Sequence, residues 1–176
     1  MAETHGAVPP WWPHAAHSRT LDADALRWHV QQWPHEDEAA PVALLLHGTG
    51  AATHTWRHVA PLLAPRFHVI ALDLPGHGFT RGEGADLSLP GMARALGKLL
   101  DHLQVKPVIA VGHSASVAIL MQMALDGTIA PHRIIGFNAA LKPIEGDTIF
   151  SPLAKMLFLN PFVPRPVING VLDIMP

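Results

Sequence analysis

The strongest constraint on the fold of this chain is a serine placed between an apolar strand and an apolar helix. Residues 108–111 predict a buried strand, and residues 115–125 are apolar almost throughout, as in a helix packed on a sheet. Ser114 lies between them, and the small residues Gly112 and Ser116 stand two positions before and after it. This pattern predicts a nucleophile elbow, in which a sharp turn raises the serine hydroxyl above the sheet edge at a helix N-terminus.

Further apolar runs predict the rest of the sheet. Strands that are apolar on both faces are typical of parallel sheets covered by helices, whereas an alternating segment predicts a half-buried antiparallel strand. Helical patterns separate the runs, which predicts a doubly wound α/β domain. We therefore predict antiparallel strands at 18–21 and 25–31, parallel strands at 42–46, 67–72, 108–111 and 133–137, and helices at 53–64, 92–105 and 115–125.

A second motif, His47-Gly-Thr-Gly, directly follows the predicted strand 42–46. Its glycines let the backbone turn close to a ligand. Where a nucleophile elbow is present, one N–H of this loop and the N–H after the nucleophile bind the oxyanion. Those donors are predicted to be the backbone N–H groups of Thr49 and Ala115. His47, at the strand end before the turn, is interpreted as a structural hydrogen-bonding residue.

Three other features predict neither catalysis nor a cofactor. The segment Asp73-Leu-Pro-Gly-His-Gly-Phe-Thr is interpreted as a structural loop in which Asp73 bonds nearby backbone, without a catalytic role for Asp73 or His77. His54 and His58 have the i, i+4 spacing of metal ligands, but no third ligand is evident and no metal site is predicted. The segment Gly48-Thr-Gly-Ala-Ala-Thr lacks the last glycine of a dinucleotide-binding loop, so no cofactor is predicted.

Composition excludes several classes of partner. The net charge is −2, from 12 Lys and Arg against 14 Asp and Glu, without a basic run that would bind nucleic acid. The chain has no cysteine, which excludes disulfides and thiolate metal sites. Residues 1–18 do not form a secretory signal, and no window approaches the ~18 apolar residues of a membrane span. These observations favour a cytoplasmic location.

The segments that contain His47, Asp73 and Ser114, in this order along the chain, resemble those of the α/β-hydrolase superfamily. Longer stretches are similar to the magnesium-chelatase accessory proteins of bacteriochlorophyll biosynthesis, and this resemblance runs along almost the whole chain. It implies a hydrolase attached to pigment synthesis, with Ser114 as nucleophile, a small lipophilic substrate or pigment intermediate, and the magnesium chelatase as a candidate partner. The stretches are Leu44-Leu-Leu-His-Gly-Thr-Gly-Ala, His54-Thr-Trp, Ala71-Leu-Asp-Leu-Pro-Gly-His-Gly-Phe-Thr, Leu87-Ser-Leu-Pro-Gly-Met-Ala, Val111-Gly-His-Ser and Phe150-Ser-Pro-Leu-Ala-Lys.

The acid and histidine of a catalytic triad are not evident after Ser114. Superfamily triads run serine, acid, histidine along the chain, but His132 is the only later histidine. His132 and Asp126 flank the connection between the elbow's helix and the next strand, so both are expected at the far edge of the sheet. We therefore expect a C-terminally truncated hydrolase with little or no esterase activity, limited to the residual ~10³–10⁴-fold over water that binding and the oxyanion hole provide.

Residues 1–140 are predicted to form a partial α/β-hydrolase core, and residues 141–176, apolar but interrupted by prolines, the start of a lid. The strand at 133–137 is expected to have an exposed edge. The functional alternatives are a serine hydrolase, a non-catalytic accessory protein that binds a lipophilic porphyrin intermediate or the chelatase, and an adaptor that contacts a membrane surface through residues 153–162.

Overall fold

The computed structural model describes residues 8–140 of the chain, and the predicted lid at 141–176 lies outside them. The described residues form a mixed sheet of six strands, and helices connect the parallel strands. The strands are β1 (Ser18–Ala23), β2 (Leu26–Trp33), β3 (Val42–Leu46), β4 (His68–Leu72), β5 (Pro107–His113) and β6 (Arg133–Phe137), and the α-helices are α1 (Ala60–Leu63), α2 (Leu89–His102) and α3 (Ser116–Leu125).

The strand order is β1-β2-β4-β3-β5-β6. The strands β3, β4, β5 and β6 are parallel, while β1 and β2 form an antiparallel hairpin that pairs with β4 through β2. The predicted mostly parallel α/β sheet is thus confirmed. Strand β6 lies at the edge of the described sheet, where Ile135 and Phe137 are exposed.

The continuous apolar run of β3 is explained by cores on both sides of the sheet. Leu44 and Leu46 belong to the cluster that includes α2 and α3, whereas Ala43 and Leu45 belong to the cluster that includes Trp56. Successive side chains of a strand point to opposite faces of its sheet. A strand covered on both faces therefore needs apolar residues at every position, which produces the run seen in the sequence.

The predicted helix over 53–64 is wrong as a continuous element. The structure has a 3-10 helix at Thr53–Trp56 and a single α-helical turn, α1, at Ala60–Leu63. Pro61 lies in the first turn of α1 and has no N–H to donate to the carbonyl of Arg57. That carbonyl accepts instead from His14 Nε2 at 2.7 Å, so the N-terminal segment replaces the helical hydrogen bond.

Helix α2 begins three residues before its predicted start at Met92. The Ser88 hydroxyl accepts from Gly91 N–H at 3.2 Å and caps the helix at Leu89. Gln104, with a φ of 55°, follows the last turn and ends the helix before the predicted Val105. Both antiparallel strands are longer than predicted, because β1 continues past residue 21 to Ala23 and β2 continues past residue 31 to Trp33.

The strand order brings the two sequence motifs to one place. In the strand order, the chain moves from β3 to β4 in one direction across the sheet, and from β5 to β6 in the opposite direction. Ligands of open parallel sheets bind in the crevice at such a reversal, outside the carboxyl ends of the strands. Residues 47–50 follow β3 and residues 114–116 follow β5, so both motifs lie at this crevice.

Candidate active site

Ser114 lies in the sharp turn between β5 and α3, which we term the elbow. Its φ of 56° is in the left-handed region, which is strained for a residue other than glycine. The turn is fixed by neighbouring backbone: Ser114 N–H donates to the Phe137 carbonyl at 2.8 Å, and the Ser114 carbonyl accepts from Ala140 N–H at 3.2 Å. Strain of this kind persists only where the surrounding structure holds it.

Ser116 lies two residues after Ser114, a position at which the nucleophile-elbow motif favours glycine. Its contacts explain how the turn accommodates a serine there. The residue is completely buried. Its Oγ donates to the Leu46 carbonyl at 2.8 Å and accepts from His113 N–H at 2.9 Å. The hydroxyl therefore joins the elbow to the end of β3, on the side of the predicted oxyanion loop.

The loop after β3 runs directly against the elbow. A Cβ added at Gly48 would lie 2.7 Å from His113 Nδ1 and 3.1 Å from Ser114 Cβ, so a side chain does not fit there without displacement. The N–H groups of Thr49 and Ala115 donate no backbone hydrogen bond within residues 8–140. Both groups are available to a ligand oxygen, and their role as an oxyanion hole stays a prediction.

A cavity of about 280 Å³ lies beside these donors and is lined by Thr49 and Ala115 among others. Its wall is mainly apolar and includes Leu87, Leu89 and Met92. Leu87 and Leu89 are 47% and 40% exposed, which leaves apolar surface open next to the cavity. Ligand pockets commonly span about 300–1,000 Å³, so this cavity suits a small ligand or one group of a larger ligand.

His47 has a structural role in this geometry. Its Nδ1 donates to the Gly48 carbonyl at 2.7 Å, and its Nε2 accepts from Leu74 N–H at 3.0 Å. Burial lowers the pKa of His47 from 6.5 to about 4, although the nearby Asp73 carboxylate acts in the opposite direction. Because both ring nitrogens are engaged with backbone groups, His47 is not available as a base for Ser114.

Asp73 fixes the loops that follow β3 and β4. Its buried carboxylate accepts from Thr53 N–H at 2.7 Å, Phe79 N–H at 2.8 Å and His29 Nδ1 at 2.7 Å. Burial acts to raise the pKa of Asp73, but the hydrogen bonds from His29 and from the Phe79 N–H act against it, and the pKa is lowered from 3.8. The prediction that Asp73 bonds nearby backbone is confirmed, whereas its bond to His29 was not predicted.

Ser18, His29 and Asp73 form what we term the buried hydrogen-bond chain. His29 Nδ1 donates to Asp73, and His29 Nε2 accepts from Ser18 Oγ at 3.0 Å. Gln31 Nε2 in turn donates to Ser18 Oγ at 3.1 Å. Ser18 is 8% exposed and the other two members are fully buried. None of the three lines the cavity beside the elbow.

His132 and Asp126 are both remote from Ser114, as the sequence predicted. His132 N–H donates to the carbonyl of Val108, at the other end of β5 from the serine. At ~3.3 Å per strand residue, Val108 and Ser114 are about 20 Å apart. Asp126 caps the C-terminus of α3, about 15 Å of helix away from the elbow. Neither side chain completes a triad with Ser114.

His54 and His58 do not share a continuous helix, so the spacing that suggested a metal pair does not hold. His54 packs edge-on against Trp12 with ring centroids 5.3 Å apart. In the described part of the chain, no group of three or more His, Cys, Asp or Glu side chains is arranged to hold a metal ion.

Between residues 8 and 140, no helix is both long enough and apolar enough to cross a membrane. The apolar segment 153–162 lies outside the described residues.

The chain belongs to the α/β-hydrolase fold family, whose sequence profile matches residues 41–137. Among solved structures, it is similar to an α/β-hydrolase fold protein from Burkholderia ambifaria, with a TM-score of 0.65 and 25% sequence identity. That alignment covers 90% of this chain and 59% of the other.

Within this family, the chain is similar to the magnesium-chelatase 30 kDa subunit of Rhodobacter capsulatus, at 40% identity over 159 residues. The alignment covers 89% of this chain and 55% of that subunit, so the chain spans about half the length of this relative. It is also 30% identical over 124 residues to a haloalkane dehalogenase from Mesorhizobium japonicum, covering 68% of this chain and 39% of the dehalogenase. Family membership alone therefore does not define the reaction.

Proposed function

We propose that this protein is a serine hydrolase that cleaves an ester or other acyl bond through Ser114. In this mechanism the Ser114 hydroxyl attacks the acyl carbon, and the N–H groups of Thr49 and Ala115 stabilise the negative oxygen that forms. The observation that carries the proposal is one combination of features. A strained, half-buried serine at a helix start adjoins two backbone N–H groups without backbone acceptors, and those donors line one cavity.

Attack by Ser114 requires a base that removes its proton. Within residues 8–140 no imidazole is hydrogen-bonded to Ser114; His47 is engaged with backbone and His132 is remote. Residues 133–176 contain no histidine. We therefore propose that a histidine and an acid are supplied by sequence C-terminal to Pro176, as in a protein of the length of the Rhodobacter subunit. The 176 residues alone are expected to show little esterase activity.

The substrate class follows from the cavity wall and from the similarity to a chelatase subunit. Leu87, Leu89 and Met92 present an apolar surface, and no Asp, Glu, Lys or Arg is among the residues that line the cavity. We propose a small lipophilic acyl compound or pigment intermediate, and a role alongside magnesium chelation in bacteriochlorophyll biosynthesis. A cytoplasmic location and contact with the chelatase belong to the same proposal.

The test is covalent labelling of the purified protein, at the length found in its source cell, with a fluorophosphonate that reacts with activated serines. Intact mass is measured first, and we expect a species above the 19.0 kDa of these residues. Labelling is expected at Ser114 and is expected to disappear in Ser114→Ala. Ser18→Ala, the matched control from the buried hydrogen-bond chain, should still be labelled. A labelled Ser114→Ala protein would contradict the proposal.

A second candidate is a non-catalytic accessory protein that holds a lipophilic porphyrin intermediate or binds the chelatase. Two observations favour this candidate. Within residues 8–140 no imidazole is hydrogen-bonded to Ser114, and a mainly apolar cavity lies beside the elbow. A native mass of 19.0 kDa together with no labelling of Ser114 would favour this candidate. Binding of a porphyrin that is unchanged in Ser114→Ala would then define its activity.

A further inference from the structure

The two backbone N–H groups proposed to bind the oxyanion lie on separate segments of the chain. Thr49 belongs to the loop after β3, whereas Ala115 is the N-cap residue of α3. Both residues line the cavity beside the elbow. Groups that act together at a site must be held within about 0.5 Å and 10–20° of the productive geometry. A contact between the two segments is therefore needed to set the relative position of the two donors.

The hydroxyl of Ser116 makes such a contact, because it lies between the ends of β3 and β5. Its Oγ is 2.8 Å from the Leu46 carbonyl on β3 and 2.9 Å from the His113 carbonyl on β5. The same oxygen accepts from the His113 N–H at 2.9 Å. A hydroxyl has one proton and two lone pairs, so the two carbonyls share its proton. One completely buried oxygen thus bonds polar groups of both strands.

The chain between the Leu46 carbonyl and the Thr49 N–H is short and tightly held. Only His47 and Gly48 separate the two residues. Both ring nitrogens of His47 bond backbone groups. Gly48 packs so closely on the elbow that an added Cβ would lie 2.7 Å from His113 Nδ1. A displacement of the Leu46 carbonyl is therefore expected to move the Thr49 N–H as well.

The space available in the turn does not by itself require the Ser116 hydroxyl. The nucleophile-elbow motif favours glycine at this position, and glycine would leave the turn free of steric conflict. The hydroxyl instead restricts its surroundings, since a Cβ added at Gly112 would lie 3.1 Å from Ser116 Oγ. What serine adds to the motif is the hydrogen bond from the elbow to a second strand.

We propose that Ser116 is a positioning residue whose hydroxyl sets the distance and angle between the N–H groups of Thr49 and Ala115. Ser116 is buried and does not line the cavity, so it acts through these two groups and not on a ligand. The inference rests on the proposed function for the use of the two donors. Their relative geometry, however, can be measured whether or not Ser114 reacts.

The first measurement is the angle between the Thr49 and Ala115 N–H bonds, obtained from residual dipolar couplings of the ¹⁵N-labelled full-length protein. Wild type is compared with Ser116→Ala and with Ser116→Gly, which removes the same hydroxyl by introducing the residue that the motif favours. Ser18→Ala is the matched control, because it deletes another buried hydroxyl with two hydrogen-bond partners, away from the elbow.

The second measurement is fluorophosphonate labelling of Ser114 in the same four proteins. The rate constant at saturating probe is separated from the probe concentration that gives half of that rate. Urea denaturation of each protein reports the loss of stability. A change that affects only the stability of the fold would alter the urea result and neither of the other two.

We expect both Ser116 variants to change the angle by more than ~10°, which exceeds what a preorganised site tolerates. Their saturating rate constant should fall by ~10- to 100-fold, less than the ~10²–10³-fold typical for complete loss of one donor. The half-saturating concentration should stay near that of wild type. Ser18→Ala should be less stable in urea but keep the wild-type angle and labelling rate.

An angle that is unchanged in both Ser116 variants would overturn the inference, as would a changed angle with a wild-type labelling rate. If wild type itself were not labelled, the proposed reaction would fail, and the angle alone would decide whether Ser116 positions the two N–H groups. Failure of the proposed function and failure of this inference are therefore separate results.

Discussion

The elbow and the buried hydrogen-bond chain each contain a serine, and the two serines differ in their surroundings. Ser18 Oγ donates to the His29 imidazole and accepts from the Gln31 amide, and the Asp73 carboxylate bonds to the other nitrogen of that imidazole. Ser114 has a strained backbone, partial exposure and unpaired N–H groups nearby, but within residues 8–140 no imidazole bonds to it. A serine hydrolase combines both sets of features at one site. Within residues 8–140, the hydrogen-bond partners lie around Ser18 and the accessible, strained turn lies around Ser114.

Hydrogen-bond geometry alone does not define an active site, as the buried hydrogen-bond chain shows. Both ring nitrogens of His29 are engaged, and the Asp73 carboxylate also accepts from two backbone N–H groups. A buried network with every member satisfied stabilises the fold but offers no position for a substrate. Reactivity requires access and donors aimed at developing charge, and we propose that the elbow supplies both. The first region is therefore expected to determine stability and the second reactivity.

The largest effect is expected from Asp73→Ala. The change leaves the buried His29 ring and the N–H groups of Thr53 and Phe79 without their acceptor. Breaking a buried pair of this kind lowers the free energy of unfolding by ~3–5 kcal/mol, to be measured by urea denaturation at neutral pH. Asp101→Ala, on an exposed position of α2, is the matched control and should leave stability nearly unchanged. If the two variants were equally stable, the structural role of the chain would be wrong.

Gly48→Ala is expected to act on the elbow and to leave the buried hydrogen-bond chain intact. The new Cβ would push against His113 Nδ1 and Ser114 Cβ and displace the Thr49 N–H from its place beside the serine. Loss of one oxyanion donor typically lowers rates by ~10²–10³-fold, and a fall of this size is expected in the rate of Ser114 labelling. Thr49→Ala keeps the backbone N–H and should label at nearly the wild-type rate. Equal rates for Gly48→Ala and wild type would remove the loop from the site.

The elbow could be predicted from the sequence because its signals are local. An apolar strand, small residues around Ser114 and an apolar helix are adjacent in the chain. The placement of Thr49 and Ala115 beside one cavity followed from the rule that parallel strands end at one edge of the sheet. The His29–Asp73 bond has no comparable signal, since it depends on the antiparallel register that pairs Val30 with Leu72. A slip of one residue would turn His29 to the other face of the sheet.

The error at the predicted helix 53–64 has a similar origin. Pro61 was visible in the sequence, and it accounts for the loss of one helical hydrogen bond. The partner that replaces this bond, His14, comes from a segment more than forty positions earlier, which apolar periodicity does not reveal. Local patterns thus predicted the elements, whereas contacts between distant segments decided how two of the loops around the site are held.

The smallest of these effects is pH dependence, which also separates the two regions. The pKa of His47 falls from 6.5 to about 4 on burial, so the unfolded chain takes up this proton first as the solution is acidified. The stability associated with neutral His47 is therefore lost as pH falls from about 6.5 towards about 4. The pKa of Asp73 is lowered from 3.8, and its contribution is complete above that value and lost only at lower pH.

Stability measured between pH 7 and pH 5 thus includes the contribution of the loop beside the elbow. Stability below pH 4 includes that of Asp73, together with those of Asp24 and Asp86, whose pKa values are also lowered. At ~1.4 kcal/mol per pH unit, His47 accounts for a loss of about 2 kcal/mol in the first interval. His54 and His68 also have pKa values lowered by burial and add to the loss, so the comparison must be with His47→Gln. That variant is less stable at neutral pH, but its further loss by pH 5 should be smaller than that of wild type by about 2 kcal/mol. Equal losses in the two proteins would mean that His47 takes up its proton without unfolding, and that the loop beside Ser114 is more accessible to water than its hydrogen bonds indicate.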